Sequence, residues 1–193
     1  MPPLIARIRN ILLDPRGEWP LIATETGNPW LRLGIYVALL AAIPAVAGFI
    51  GSTYVGVTVS AGSFRDPLHV GIIKSLVSYL LSFLIVGMVA LAIHLAAPLF
   101  GASRNFLNAL KLSVYSFTPV WLVGIVLVVP GLRFLSLLGL YALRLLWTGL
   151  PPLMGAPRKG VLRYALVISL AAIAIVFAMA VLQAAATALL LRR

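Results

Sequence analysis

With 193 residues, 62% hydrophobic and only 10% charged, and a mean hydropathy of +1.10, the chain is too apolar for a soluble domain. Soluble domains run about 45–50% apolar and about 25% charged, so the composition points to a polytopic membrane protein with one domain of about four to six helices. Fifteen Lys and Arg against four Asp and Glu read here as topology signals and lipid-headgroup contacts. No basic run is interleaved with exposed aromatics, so nucleic-acid binding is not expected, and the lack of cysteine excludes disulfides, iron–sulfur clusters and thiolate metal sites.

The N-terminal segment, residues 1–30, reads as a cytoplasmic interfacial unit. It has no apolar core with a small-residue cleavage site, so a cleaved signal peptide is not expected. Leu4, Ile5, Ile8, Ile11 and Leu12 recur at helical spacing, with Arg7, Arg9 and Asn10 elsewhere on the wheel. This pattern predicts an amphipathic helix along the headgroups, ended by Asp14-Pro15, with Trp19 as an interfacial anchor. The segment serves either to orient the first span or to dock.

Residues 31–193 form the predicted membrane domain. Five stretches are long enough to cross about 30 Å of hydrocarbon. They run about Leu31–Ile50, Ile72–Ala97, Leu112–Val129, Leu132–Leu150 and Val161–Leu191. Asn28-Pro29 caps the first, Pro98 closes the second, and Pro130-Gly131 makes a tight hairpin between the third and fourth. Nine Lys and Arg residues on the N-terminal side face five on the other, which predicts the N-terminus inside and the C-terminus outside. Twelve Arg against three Lys, with abundant Ala, suggest a GC-rich bacterial gene and therefore an inner-membrane location.

The chemistry of the spans is sparse. All four carboxylates, Asp14, Glu18, Glu25 and Asp66, lie outside them, so an intramembrane ion-coupling group or catalytic base is not expected. His94 reads as a structural histidine, no phosphate-binding or hydrolase motif occurs, and neither cofactor nor metal is expected. Arg144, in the fourth span, lies six residues before Leu150, about 9 Å below the inner end. It either snorkels to lipid phosphate or pairs with Asp14, Glu18 or Glu25. In "YSFTP", Tyr115, Ser116 and Thr118 precede Pro119, whose missing N–H frees a carbonyl. The motif is a proline kink or, alternatively, part of a substrate site. Ala180, Ala184 and Ala188 mark a small-residue face, suited to packing inside the bundle or to a homodimer.

"ILLDPRGEWPLIATE", with Pro15 and Trp19, precedes five spans. "YSFTPVWL" sits in the third, "VPGL" joins it to the fourth, and "LLGLYALRLLWTGLPPLMGAPRKGVLRYALV", with Tyr141, Gly149 and Pro157, runs into the fifth. The order of these elements resembles the Yip domain family, whose eukaryotic members interact with Ypt/Rab GTPases, and most closely its bacterial branch. The resemblance implies an all-α, five-span architecture with a cytoplasmic N-terminus. Residues 1–30 lack the acidic, tyrosine-containing motif of the eukaryotic members, so it implies architecture rather than a Rab-type partner. The expected function is non-catalytic association with membrane lipids, a membrane protein partner or a second copy. A small permease, channel or lipid-moving protein using Pro44, Pro119 and Pro130 is the alternative, and an auxiliary subunit of a larger complex the third.

Overall fold

A computed structural model describes residues 3–25, 28–59, 62–157 and 159–190. Arg158, Arg192 and Arg193, which contribute to the charge bias, lie outside them. Two short helices come first, α1 (Leu4–Leu13) and α2 (Pro15–Thr24). Asp14 separates them: its carboxylate accepts from the Gly17 N–H at 3.1 Å, and Pro15 occupies the first helical position. Helix α3 (Pro29–Ile50) is capped by Asn28, whose side chain accepts from the Leu31 N–H at 3.3 Å.

After a wide π turn at Gly51–Val55, strands β1 (Val57–Val59) and β2 (Gly62–Phe64) pair antiparallel, Val57 opposite Phe64. Helix α4 (Leu68–Ala96) then returns to the N-terminal end of the bundle. With 29 residues it is about 44 Å long, more than the hydrocarbon thickness, so it tilts or protrudes. The 30-residue α8 (Val161–Leu190) has the same excess, as the sequence predicts for the last span.

The third and fourth spans depart from regular α-helix. The third comprises α5 (Phe106–Ser116), α6 (Thr118–Val123) and a 3₁₀ stretch, Gly124–Val128. The fourth begins as 3₁₀ over Pro130–Leu140 and becomes α7 (Tyr141–Met154). Eleven residues at 2.0 Å each reach about 22 Å, against about 16 Å in an α-helix, so this run spans more with less chain.

Five segments are long and apolar enough to cross a membrane, beginning at Pro29, Leu68, Phe106, Pro130 and Val161. The third is the axis of the bundle, 61% buried against 22% for the second and fifth. Hydrogen bonds join the helices across their apolar faces: Ser113 Oγ donates to the Val86 carbonyl at 2.8 Å, Tyr164 to Ile93 at 2.5 Å, and Tyr79 to Ala38 at 3.2 Å. The expectation of an all-α membrane protein with five spans holds; the hairpin at residues 57–64 is an addition that the sequence reading lacked.

Candidate functional site

Polar groups gather in two places, one at each end of the bundle. The first is the contact of α1 and α2 with the start of α3, with α5 and with α7. Because the Asp14 turn folds α2 against α1, Arg7 faces Glu18 and Glu25 and forms ion pairs with both. Asn10 Nδ2 donates to the other Glu18 oxygen at 3.2 Å, and Arg32 stands 4.0 Å from Glu25. The Tyr115 ring lies 5.6 Å from the Arg7 guanidinium carbon, a cation–π contact. Lys111 donates to the Ile22 carbonyl at 2.9 Å and so caps the C-terminal end of α2 with a positive charge.

Arg7, Glu18 and Lys111 are all buried. A charge taken out of water is tolerable only with partners, and here three cations face two carboxylates and a run of carbonyls. Around them the packing is dense. Trp19, Ile11 and Ile22 are fully buried, and the Trp19 indole donates to Thr148 Oγ1 at 3.1 Å. Gly149 is what lets Trp19 in: a Cβ there would stand 2.4 Å from Leu112 Cδ1 and 2.8 Å from Trp19 Cε2.

This geometry changes two readings of the sequence. Arg144 does not take the carboxylates: Glu18 and Glu25 face Arg7, and Asp14 caps its own turn. Arg144 is exposed and lies 5.4 Å from the Tyr141 ring centre. Span four still grips the N-terminal segment, but through the Tyr141 hydroxyl, which donates to the Leu12 carbonyl at 2.8 Å, and through Thr148. Trp19 is not an interfacial anchor either, since its indole is enclosed by α5 and α7. The reason is shared: α1 and α2 bury a face against the bundle, leaving Leu4, Ile5, Leu13 and Leu21 as their large exposed apolar residues.

The Pro119 carbonyl problem is solved internally. Pro119 lacks the N–H that would reach the Tyr115 carbonyl, and Thr118 Oγ1 donates to that carbonyl at 2.7 Å. Tyr36 of α3 hydrogen bonds the same hydroxyl at 2.8 Å. Ser116 Oγ is buried without a hydrogen-bond partner among the described residues. Ala180, Ala184 and Ala188 are exposed, so within a single chain they do not pack inside the bundle.

Sequence reasoning missed Arg7, Lys111 and Tyr36. Arg7 and Ile11 are four residues apart and share a helix face, which was a usable signal for a cation on the packed side. Lys111, inside an apolar stretch, had the same unexplained charge as Arg144.

The second place is a cavity of about 650 Å³ at the hairpin end. Its wall includes Pro44 of α3, Lys74 and Ser75 of α4, Leu127, Arg133 and Gln183. A transport reading expects a polar cavity between spans one, three and four; this one lies chiefly between spans one and two, with the others closing it.

No curated protein and no solved structure matches the chain. The Yip1 domain profile matches residues 9–181, from within α1 to within the last span, and the chain therefore belongs to the Yip1 domain family of membrane proteins.

Proposed function

We propose that this protein works without catalysis, by associating with membrane proteins or lipids. The observation that carries the reading is the closed ion cluster of Arg7, Glu18 and Glu25 with Lys111. It spends its charges on fixing α1 and α2 to the bundle, and so builds a rigid platform rather than a reaction centre. The platform presents Ile5, Leu13 and Leu21 beside Arg9 and Arg16, an apolar and basic surface suited to headgroups or to a membrane partner. The charge bias supports a cytoplasmic platform with the C-terminus outside, and the Arg-rich composition supports a bacterial inner membrane.

The rival reading, a permease or lipid-moving protein, draws on the cavity beside Pro44. The test has two arms. Native mass spectrometry from a mild detergent should find the protein with a defined partner, a second copy or bound lipid, and loosening the platform by Arg7→Met should weaken protein association. Reconstituted vesicles should show no solute flux or lipid scrambling above empty vesicles; activity there, with no stable complex, would overturn the association reading.

A further inference from the structure

The cavity at the hairpin end has a charge and a shape that the platform does not explain. Its ionic groups among the described residues are Arg65, Lys74 and Arg133 against Asp66 alone, a net charge of two positive. Lys74 is held in place by Asp66, with both carboxylate oxygens at 2.7 and 2.8 Å. The two arginines come from different elements, one following β2 and the other in the 3₁₀ stretch of the fourth span, so the cavity's charge is not carried along one helix. The lining runs from Ser52, in the turn that follows α3, to Pro44 inside that helix, eight residues or about 12 Å. A volume of about 650 Å³ is that of a small-ligand site.

A second, apolar groove of about 300 Å³ runs outward between α3 and α4, lined by Ala42, Val46, Ile72, Leu76 and Tyr79. It shares Ala45, Phe49 and Ser75 with the cavity, so the two spaces adjoin. Both hydroxyls of its wall are already directed to backbone carbonyls, Ser75 to Ala45 and Tyr79 to Ala38, which leaves the groove an apolar lining. Basic chamber and apolar groove thus share a wall at Ala45, Phe49 and Ser75.

We propose that this pair of spaces binds an anionic phospholipid from the leaflet on the hairpin side. The phosphate sits among Arg65, Lys74 and Arg133, and an acyl chain lies in the α3–α4 groove. A water-soluble phosphate would use the charges and leave the groove empty; a zwitterionic lipid would fill the groove and bring its own cation against the arginines. Only an anionic amphiphile satisfies both. The site rests on the lipid half of the proposed association and is independent of any protein partner at the platform.

Delipidated protein in a neutral detergent, titrated with phosphatidylglycerol and phosphatidylcholine and read by native mass spectrometry, tests this. Phosphatidylglycerol should bind about tenfold or more tightly than phosphatidylcholine, since each basic side chain near the headgroup adds appreciably to anionic-lipid affinity. Arg65→Gln/Arg133→Gln should erase that preference. Both arginines are exposed, so this variant should keep its melting temperature. Ala42→Trp, which fills the groove, should weaken both lipids equally. Glycerol phosphate should fail to compete. Equal binding of the two lipids by the wild type, or a preference that survives the double substitution, overturns the proposal. Competition by glycerol phosphate at matched concentration would show a soluble-anion site and overturn it as well. Platform association, tested separately with Arg7→Met, should be unchanged in the double variant.

Discussion

Arg7→Met is the sharpest test of how the N-terminal helices are held. Methionine keeps an unbranched apolar stem beside Ile11 but removes the guanidinium that faces Glu18 and Glu25. Removing one partner of a buried ion pair typically costs about 3–5 kcal/mol, because the other charge is stranded. Glu18 has a side-chain exposure of only 4%, whereas Glu25, at 16%, reaches water and keeps Arg32 within 4.0 Å. The lower end of the range therefore applies, about 3 kcal/mol, or about a hundredfold in the equilibrium for detaching α1 and α2. Trypsin reads that opening at Arg9 and Arg16, which are surface residues held in helix and cut when the segment unfolds locally. Cleavage should accelerate by about that factor, and Trp19 should become accessible to an aqueous quencher. Arg7→Lys, a point charge that cannot fork to two carboxylates, should lose about 1.5–3 kcal/mol. The triple change Arg7→Met/Glu18→Gln/Glu25→Gln should recover most of the loss, because no uncompensated charge remains. If Arg7→Met leaves both cleavage and quenching at wild-type levels, the cluster does not hold the platform and the reasoning fails.

Other expectations are narrower. Gly149→Ala should lower thermal stability by about 1–3 kcal/mol, measured as a melting shift in detergent, because its Cβ collides with Leu112 and Trp19. Arg144→Leu, at an exposed site, should change stability by no more than about 0.5 kcal/mol and leave tryptic protection of residues 10–25 intact. Ala184→Leu should likewise leave the monomer's stability unchanged, while crosslinking yield falls if the Ala180–Ala188 face joins two copies.

Much of the architecture was readable because it follows from periodicity and length. Five apolar stretches, the Asn28-Pro29 start and the Pro119 break all rest on local rules, and the Thr118 hydroxyl fills the carbonyl that Pro119 orphans. The charge pairing was less readable for a physical reason. Pairing Arg144 with Asp14, Glu18 or Glu25 requires the carboxylate segment to lie against the bundle, but two cations compete for it there, Arg144 and Arg7. An isolated arginine in an apolar stretch draws attention, yet it had water within reach. Arg7 looked like the polar face of a surface helix, and only the turn at Asp14, which sets α2 against α1, places it inside. The 3₁₀ geometry of Pro130–Leu140 was invisible for a different reason: hydropathy measures greasiness and does not distinguish 1.5 from 2.0 Å per residue.

The two ends of the bundle are built for different work. The largest fully buried side chains, among them Trp19, Tyr164, Ile93, Leu145 and Met154, all lie at the platform end. There Tyr164 stacks on Phe100 with ring centres 5.0 Å apart, and glycine at 149 admits an indole. At the hairpin end the same helices separate around the cavity; Pro44 and Gly124 meet where it begins, and a Cβ at Gly124 would lie 2.5 Å from Pro44 Cβ. That close contact lies between the solid half and the hollow half. Enlarging it by Gly124→Val should therefore spread the hairpin end while the Arg7 cluster, at the far end of α3, stays closed. Lipid binding in the cavity should change and tryptic protection at Arg16 should not. Loss of both together would mean that the halves are one cooperative unit, and that a ligand at the hairpin end can act on the platform.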